Sequence, residues 1–485
     1  MPDNHNCHNF VRFWAWLKRD GKLRNIDLTP HNASSVSLHD KTRIEYADLQ
    51  GDSCDLQGIN WRQMGVTRTL ARKCRVKTFH NYVNITRSDA WNHNLPDTLL
   101  NPVESYYQFR SMDIRRDVRL LHFQLRHILG CASRTRIFYP TEKSIKELDP
   151  TTGRQRTAMT FDNYSDSFTS TLAAEQGILI AGSFYGTYHY RHLDVENGSG
   201  QQTTGRLTDH PSGITNHVQI SPSRHSSVPL AAFASNDCGY RIVDLATNQI
   251  ISRKIYPWAL NCSSLSPDKR LRVMVGDTQD VIISDAENGQ ILQSLDGHRD
   301  FGFACDWSPD GWHVATGNQD RTIRIWDARK WSEPVAVLRT EMTGVRSLRF
   351  SPLGSGKRLL AAAEEADFIN IIDAETFDSK QTIGIFGELA GISFASDGEE
   401  LIGLSSDPDR GGILSLELRI DGERKRVSKR KRKRKRERIA GCGYQSRIVE
   451  RSGGSNSRGR RRITARHVLH VFFASAMSAL WSSYP

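Results

Sequence analysis

Residues 297 to 327 carry an alternation of turns and short apolar runs that leaves few folds open. Gly297-His298-Arg299-Asp300 leads into a run ending at Trp307, in which Phe303, Cys305 and Trp307 alternate with smaller or polar neighbours. That period of two is what a half-buried strand requires. Ser308-Pro309-Asp310-Gly311 then reads as a tight turn, with Pro fixing φ and Gly free to adopt a positive one. A second strand is expected at Val314 to Gly317 and a third at Thr322 to Trp326, separated by Asn318-Gln319-Asp320-Arg321.

One such unit cannot bury its own apolar face, so similar units must stack beside it. The turn after the first strand recurs at Ser221-Pro222, Ser266-Pro267-Asp268, Ser308-Pro309-Asp310, Ser351-Pro352 and Ser396-Asp397-Gly398, in steps of 45, 42, 43 and 45 residues. The acidic residue closing the third strand recurs at Asp149, Asp194, Asp244, Asp285, Asp327, Asp373 and Glu417, in steps of 45, 50, 41, 42, 46 and 44. Seven marks imply seven repeats between about residues 110 and 420. Within the first of them, strands are expected at Leu121–Phe123, Ile128–Ala132 and Ile145–Leu148. The stretch Tyr106-Tyr107-Gln108-Phe109, or its neighbours, is expected to supply the outer strand of the last repeat and so leave no open edge.

The pairing of Gly297-His298 with Trp326-Asp327 resembles a WD40 repeat. The resemblance implies an all-β fold, a seven-bladed WD40 β-propeller, and a hydrogen-bonded tetrad of His298, Thr316, Asp320 and Trp326. In such a tetrad Asp320 accepts from the imidazole, Thr316 satisfies its other side, and the Trp326 N–H closes the chain. A second resemblance, to a largely uncharacterised WD-repeat family of fungi with plant relatives, is carried by Asp55-Leu56-Gln57-Gly58-Ile59-Asn60-Trp61, the basic stretch Arg62 to Lys77 and Tyr82-Val83-Asn84. It continues through Asn216-His217-Val218-Gln219-Ile220, Ser235-Asn236-Asp237-Cys238, Asn261-Cys262-Ser263, Leu271-Arg272-Val273, Trp326-Asp327-Ala328-Arg329 and Phe386-Gly387-Glu388. That family implies no biochemical role to carry over.

The flanks read differently. Residues 1–54 are polar and aperiodic and are expected to be disordered. Residues 55–109 are expected to pack as an arm on the propeller formed by residues 110–420. The chain carries +12 overall, but Arg424 to Arg466 holds 19 Lys and Arg against Glu437 and Glu450, so the remainder is net −5. The high isoelectric point therefore belongs to the basic, low-complexity tail, residues 421–485, which is expected to be disordered. Three readings fit the tail: a nuclear-localisation signal at Lys429, Arg430, Lys431, Arg432, Lys433, Arg434, Lys435 and Arg436; a non-specific hold on nucleic-acid phosphates; or a translated non-coding stretch from a mistaken gene model.

Eight scattered cysteines without a CxxC pair read as free thiols of a reducing compartment. No metal site or cofactor is expected; His5, Cys7 and His8 form one isolated cluster in a polar segment, which is weak evidence. The N-terminus lacks the apolar core of a signal peptide, and Val468 to Trp481 is short for a membrane span, so nucleus or cytoplasm is expected. His298-Arg299-Asp300 mimics a kinase tripeptide without the rest of the kinase set, and Gly354-Ser355-Gly356-Lys357-Arg358 lacks the first Gly and the hydroxyl of a P-loop. No enzyme is expected.

What is left is a surface. The residue five before each turn serine is Asn216, Asn261, Phe303 and Arg346, and with Trp258 these are the candidate lining of a face that binds a protein or peptide. The leading expectation is a non-enzymatic scaffold for protein–protein interaction. A second is a substrate receptor of a cullin-RING ubiquitin ligase, because Trp326-Asp327-Ala328-Arg329 matches the WDxR pattern and would offer Arg329 to the ligase adaptor. A third is RNA or chromatin association through the tail.

Overall fold

Asp149, Asp244, Asp285, Asp327 and Asp373 all bend the chain in the same way. Each carboxylate accepts the backbone N–H two residues further on, at 2.8 to 2.9 Å, and so closes the turn from a third strand to a fourth. The serine turn is as local. Ser308 Oγ donates to Asp310 at 2.6 Å and accepts from His313 N at 2.8 Å, and Ser266 repeats the pattern with Asp268 and Leu271. Two turn chemistries thus set a four-stranded unit and repeat it.

The computed structural model describes residues 39–91, 98, 100–102, 104–162, 164–193 and 201–419. Asp194, His5, Cys7, His8 and the basic run Lys429 to Arg436 lie outside the described residues. Among the described residues, five four-stranded antiparallel sheets and one eight-stranded sheet make up seven blades. The eight-stranded sheet is two blades in one, because Lys380–Phe394 serves as the outer strand of blade 6 and continues as the inner strand of blade 7. The inner strands of blades 1 to 6 are Gly130–Ser133, Thr169–Glu175, Thr215–Pro222, Leu260–Leu265, Gly302–Trp307 and Val345–Phe350. Apolar clusters fill the space between blades. One packs Cys262, Val273, Val281 and Ile283 of blade 4 against Cys305, Trp307, Val314 and Trp326 of blade 5.

Strand β2 (Tyr107–Ile114) closes the ring as the fourth strand of blade 7, pairing antiparallel with Gly412–Leu418 from Tyr107↔Leu418 to Ile114↔Gly412. This explains the one irregular mark. Glu417 precedes no hairpin, since its neighbouring strand arrives from the other end of the chain. Its carboxylate instead accepts from Gln108 Nε2 at 2.5 Å across the closure.

Two expectations need correction. Leu121–Phe123 is a turn and not a strand, because His122 Nδ1 accepts from Gln124 N and Leu125 N at 3.1 and 3.2 Å and curls the backbone. Residues 39–54, expected to be disordered, hold a strand, β1 (Arg43–Glu45), that pairs with β2. Tertiary contacts outweigh its polar composition: Arg43 bonds both Asp113 oxygens, and Ile44 is fully buried.

Candidate functional site

The arm between these strands occupies part of the face that carries the loops entering the inner strands. Asp55 organises its start, accepting from Gln57 N, Ile59 N and the Trp61 indole at 2.9 to 3.0 Å and from Arg68 Nε at 2.9 Å. Gln57 then bonds the backbone of Phe386 in both directions, at 2.8 and 2.6 Å, while Trp61 packs on the Phe386 ring. Helix α1 (Arg68–Thr78) begins where Thr67 accepts from Leu70 N. Its only buried residues are Ala71 and Arg75, so charge and not an apolar stripe places it. Arg72 and Arg75 both pair with the buried Asp367 of blade 6, and Arg72 stacks 3.8 Å over Phe386. Beyond α1, Asn81 exchanges hydrogen bonds with Gln319, and Asp300 accepts from Asn84, Ile85 and Ser88. The arm therefore crosses blades 7, 6 and 5.

Where the arm stops, an aromatic ledge begins. Tyr82 meets Phe123 edge-on at 5.5 Å, Phe123 stacks on His122 at 5.2 Å, and His122 approaches Phe184 at 6.1 Å. Tyr185, next in the chain, lies edge-on to Phe168 at 6.1 Å. Phe123, Tyr185 and Tyr82 remain 54%, 51% and 46% exposed. Beneath them His122 is pushed down to about 4 by burial and by Arg126 and Arg346, so its imidazole is neutral and accepts the turn N–H groups. Gln124 Nε2 donates to Asn84 at 3.2 Å and ties the ledge to the arm. These aromatics sit outside regular elements; the sequence offers Tyr82 only within a family signature and Phe123 only as the end of an expected strand, and marks none of them as a docking surface.

The five residues expected to line a docking face lie elsewhere. Asn216, Asn261, Phe303 and Arg346 are at most 3% exposed, and Trp258 is half-buried against the core of blades 3 and 4. Asn216 Nδ2 donates to Leu260 O and Asn261 Oδ1, and Asn261 Nδ2 donates to Gly302 O. Arg346 pairs with Glu365 at 2.9 Å and lies 4.0 Å over Phe303. These equivalent positions fall on the inner strands, where the blades meet. There, side chains staple one blade to the next, and the exposed docking ring is replaced by a buried one.

His298, Thr316, Asp320 and Trp326 are brought together inside blade 5. His298 Nδ1 lies 3.1 Å from Asp320 Oδ2, His298 Nε2 lies 2.9 Å from Thr316 Oγ1, and Trp326 Nε1 donates to Thr316 Oγ1 at 3.0 Å. Burial alone would raise the Asp320 carboxyl; the imidazole and the bonds from Thr322 and Arg299 N outweigh it and hold it at about 2. Gly297 enters this cluster at φ +117°, and a Cβ there would come within 2.6 Å of the Arg324 guanidinium. Arg329 lies outside the cluster, exposed, its guanidinium held by both Asp327 oxygens at 2.9 and 2.6 Å and stacked 4.3 Å from the Trp312 ring. On the far face a cavity of about 240 Å³ between blades 3 and 4 is lined by Ile242, Ile251, Arg224, Lys269 and Arg272 among others. Among the described residues, no helix is long and apolar enough to cross a membrane.

Residues 289–327 match the family described as WD domain, G-beta repeat. A stretch of 113 residues is 32% identical to Eukaryotic translation initiation factor 3 subunit I of Pyricularia oryzae, covering 22% of this chain and 30% of that protein. The Serine-threonine kinase receptor-associated protein of Dictyostelium discoideum is 36% identical over 75 residues, 15% of this chain and 26% of its own. An uncharacterized protein of Schizosaccharomyces pombe is 26% identical over 215 residues, 42% of this chain and 59% of its own. The chain thus spans less than two thirds of the length of each of these relatives. A chain in the Crystal Structure of Mitotic Checkpoint Complex superposes with a TM-score of 0.53 at 16% identity, covering 68% of this chain and 98% of that one, which is a likeness of fold. With its complete repeat in blade 5 and its closed ring of seven blades, the chain is a WD40-repeat protein with the β-propeller fold.

Proposed function

We propose that this protein is a non-enzymatic scaffold that grips a segment of another protein on the ledge formed by Tyr82, Phe123 and Tyr185. The contact between the exposed Tyr82 and Phe123 rings, with exposed Tyr185 following Phe184 beside His122, carries the reading. Large aromatics left half in water gain little from the core, whereas desolvating them against a partner is the usual source of binding energy. The arm supports the reading, because it covers blades 5 to 7 and confines a partner to the ledge and the blades beside it. Neutral His122 and the buried Arg126 beneath stiffen the ledge without placing a net charge at its surface, which favours an apolar side chain of the partner as the anchor.

A photo-crosslinking residue placed at Phe123 and, separately, at the exposed Ile255 of blade 3 tests this in cells. Crosslinks to discrete polypeptides are expected at position 123, and the double variant Phe123→Ala, Tyr185→Ala should lower the yield of those partners by about tenfold or more with an unchanged melting temperature. Equal crosslinking at both positions, or full yield from the double variant, overturns the assignment of this face.

A further inference from the structure

At the centre of the ring three side chains from three blades converge. His127 precedes the inner strand of blade 1, His217 lies on that of blade 3 and Cys262 on that of blade 4. One donor atom from each lies within 4.8 Å of the other two, and all three residues are buried. The two imidazoles meet edge-on with centroids 4.8 Å apart. His127 Nδ1 and both nitrogens of His217 find no well-formed hydrogen bond; the Cys262 thiol is the polar group beside His217. A buried polar atom left this way is costly, and three of them in one place call for an occupant.

The tautomer of His127 says what kind. Its Nε2 lies 3.1 Å from the carbonyl oxygen of Phe303 in blade 5. A carbonyl only accepts, so Nε2 carries the hydrogen and Nδ1 presents a bare lone pair to the cluster. An imidazole whose far N–H is fixed by a backbone carbonyl is the arrangement that orients a metal-binding histidine. Two imidazole nitrogens and a sulfur are the wrong donors for calcium or magnesium, which take oxygen, and the right ones for a borderline or soft transition-metal ion.

We propose that His127, His217 and Cys262 bind one zinc ion on the axis of the propeller. Zinc bonds of about 2.0–2.3 Å put neighbouring ligand atoms roughly 3.3–3.6 Å apart, so the three donors close by at most about 1.5 Å, within the reach of side-chain rotation. Binding replaces the thiol hydrogen of Cys262 with a zinc–sulfur bond and releases one proton to solvent. The bond given up is slight, a 3.7 Å contact from the Cys262 thiol to the Cys305 carbonyl. The Cys305 thiol, which donates to Val273 O at 3.8 Å, stays outside the ligand set. Because the ligands come from blades 1, 3 and 4, the ion pins the ring across its centre, and opening the ring requires losing the metal.

The test uses the untagged full-length protein, purified under reducing conditions from culture replete in both zinc and copper. Elemental analysis should find about one zinc per chain in the wild type. Retained zinc should fall about tenfold or more in His217→Ala and in Cys262→Ser, and stay in Cys305→Ser and in the Cys7→Ser, His8→Ala double variant. Should the ligand variants fail to fold, the wild type decides alone. After chelator stripping, zinc chloride should raise its melting temperature where magnesium chloride does not. Cobalt(II) should produce a thiolate-to-cobalt charge-transfer band in the wild type and in Cys305→Ser. Copper in place of zinc, zinc lost only with Cys7 and His8, or a wild type that neither retains nor responds to zinc overturns the proposal; a water molecule is then the occupant.

Discussion

Blades 5 and 6 share one backbone plan and hold the same entry loop by different chemistry. In register, Cys305 pairs with Thr316 in blade 5 as Leu348 pairs with Ala362 in blade 6, and Val314 pairs with Trp326 as Leu360 pairs with Ile372. Blade 6 thus lacks the hydroxyl and the indole, and no His298 tetrad is available to it. Glu364 does the work instead: its carboxylate accepts from the backbone N–H groups of Glu341, Met342 and Thr343 at 2.7, 2.8 and 2.7 Å and from Asn370 Nδ2 at 3.0 Å. What the architecture requires is that the loop be tied to the blade behind it; the residues that tie it are free to change. Freed from the tetrad, the next turn of blade 6 serves another purpose. Asp367 occupies, at φ +74°, the left-handed position that Arg321 occupies at φ +64° in blade 5, and there it receives the arm.

The largest effect should come from that difference. Asp367→Asn keeps a residue that tolerates a positive φ but removes the charge between Arg72 and Arg75, so two largely buried guanidinium groups lose their shared carboxylate. Breaking a buried pair from one side costs about 3–5 kcal/mol. Denaturant unfolding should show a loss of that order, and trypsin should cut within Arg68–Lys77 well before the blades. A cost below that of disrupting blade 5, with the arm still protected, would mean that the apolar contacts of Trp61 and Phe386 hold the arm and the ion pairs do not.

The two loop anchors should also respond to pH with opposite signs. Burial pushes Glu364 from 4.5 up to about 7, against the pull of the three N–H groups. The folded state then keeps a proton that the unfolded chain gives up near 4.5, so stability is complete below that pH and is lost as pH rises toward 7, by up to about 3 kcal/mol. Burial holds His298 below its ordinary 6.5, despite the attraction of Asp320. Here the unfolded chain takes a proton that the fold refuses, so stability is present above 6.5 and declines as pH falls through it. Between about pH 5 and about pH 8, Glu364→Gln should gain on the wild type by up to about 3 kcal/mol. His298→Ala should lose ground over the same interval, reaching a cost of about 1–3 kcal/mol at the upper end. Parallel pH curves for the two variants would break the contrast between the blades.

How much of this was legible follows from how local each signal is. The aspartates that end third strands and the serines that begin second ones work through bonds two to five residues long, so the sequence carries them openly. The tetrad is legible in blade 5, where His298, Thr316, Asp320 and Trp326 keep their types, and invisible in blade 6, where a glutamate on another register position replaces it. Asn216, Asn261, Phe303 and Arg346 hold equivalent places in successive repeats, but spacing along a strand does not give its radius in the ring, and all four are buried. The ledge of Phe123 and Tyr185 and the axial set of His127, His217 and Cys262 exist only once distant blades are brought together. Residues 39–54 belong with them, since Arg43 and Ile44 are ordered by partners far along the chain.

The smallest effect is expected on the outside of blade 5, at Arg329. Its guanidinium, hydrogen-bonded to Asp327, holds that carboxyl well below the usual carboxylate range, yet both groups meet water and their attraction is screened. The turn itself does not depend on the side chain. Arg329 N donates to Asp327 Oδ1 at 2.9 Å, and Arg329→Ala keeps that bond. The exposed Trp312 ring loses a cation above it, but remains solvated on the same face. Arg329→Ala should therefore melt at a temperature indistinguishable from the wild type, at low and at high salt. That makes it the cleanest variant with which to ask whether a ligase adaptor binds at this residue, since any loss of binding would come without a loss of fold. A melting-temperature drop as large as that of His298→Ala would instead move the strength of blade 5 from its buried tetrad to its outer turn.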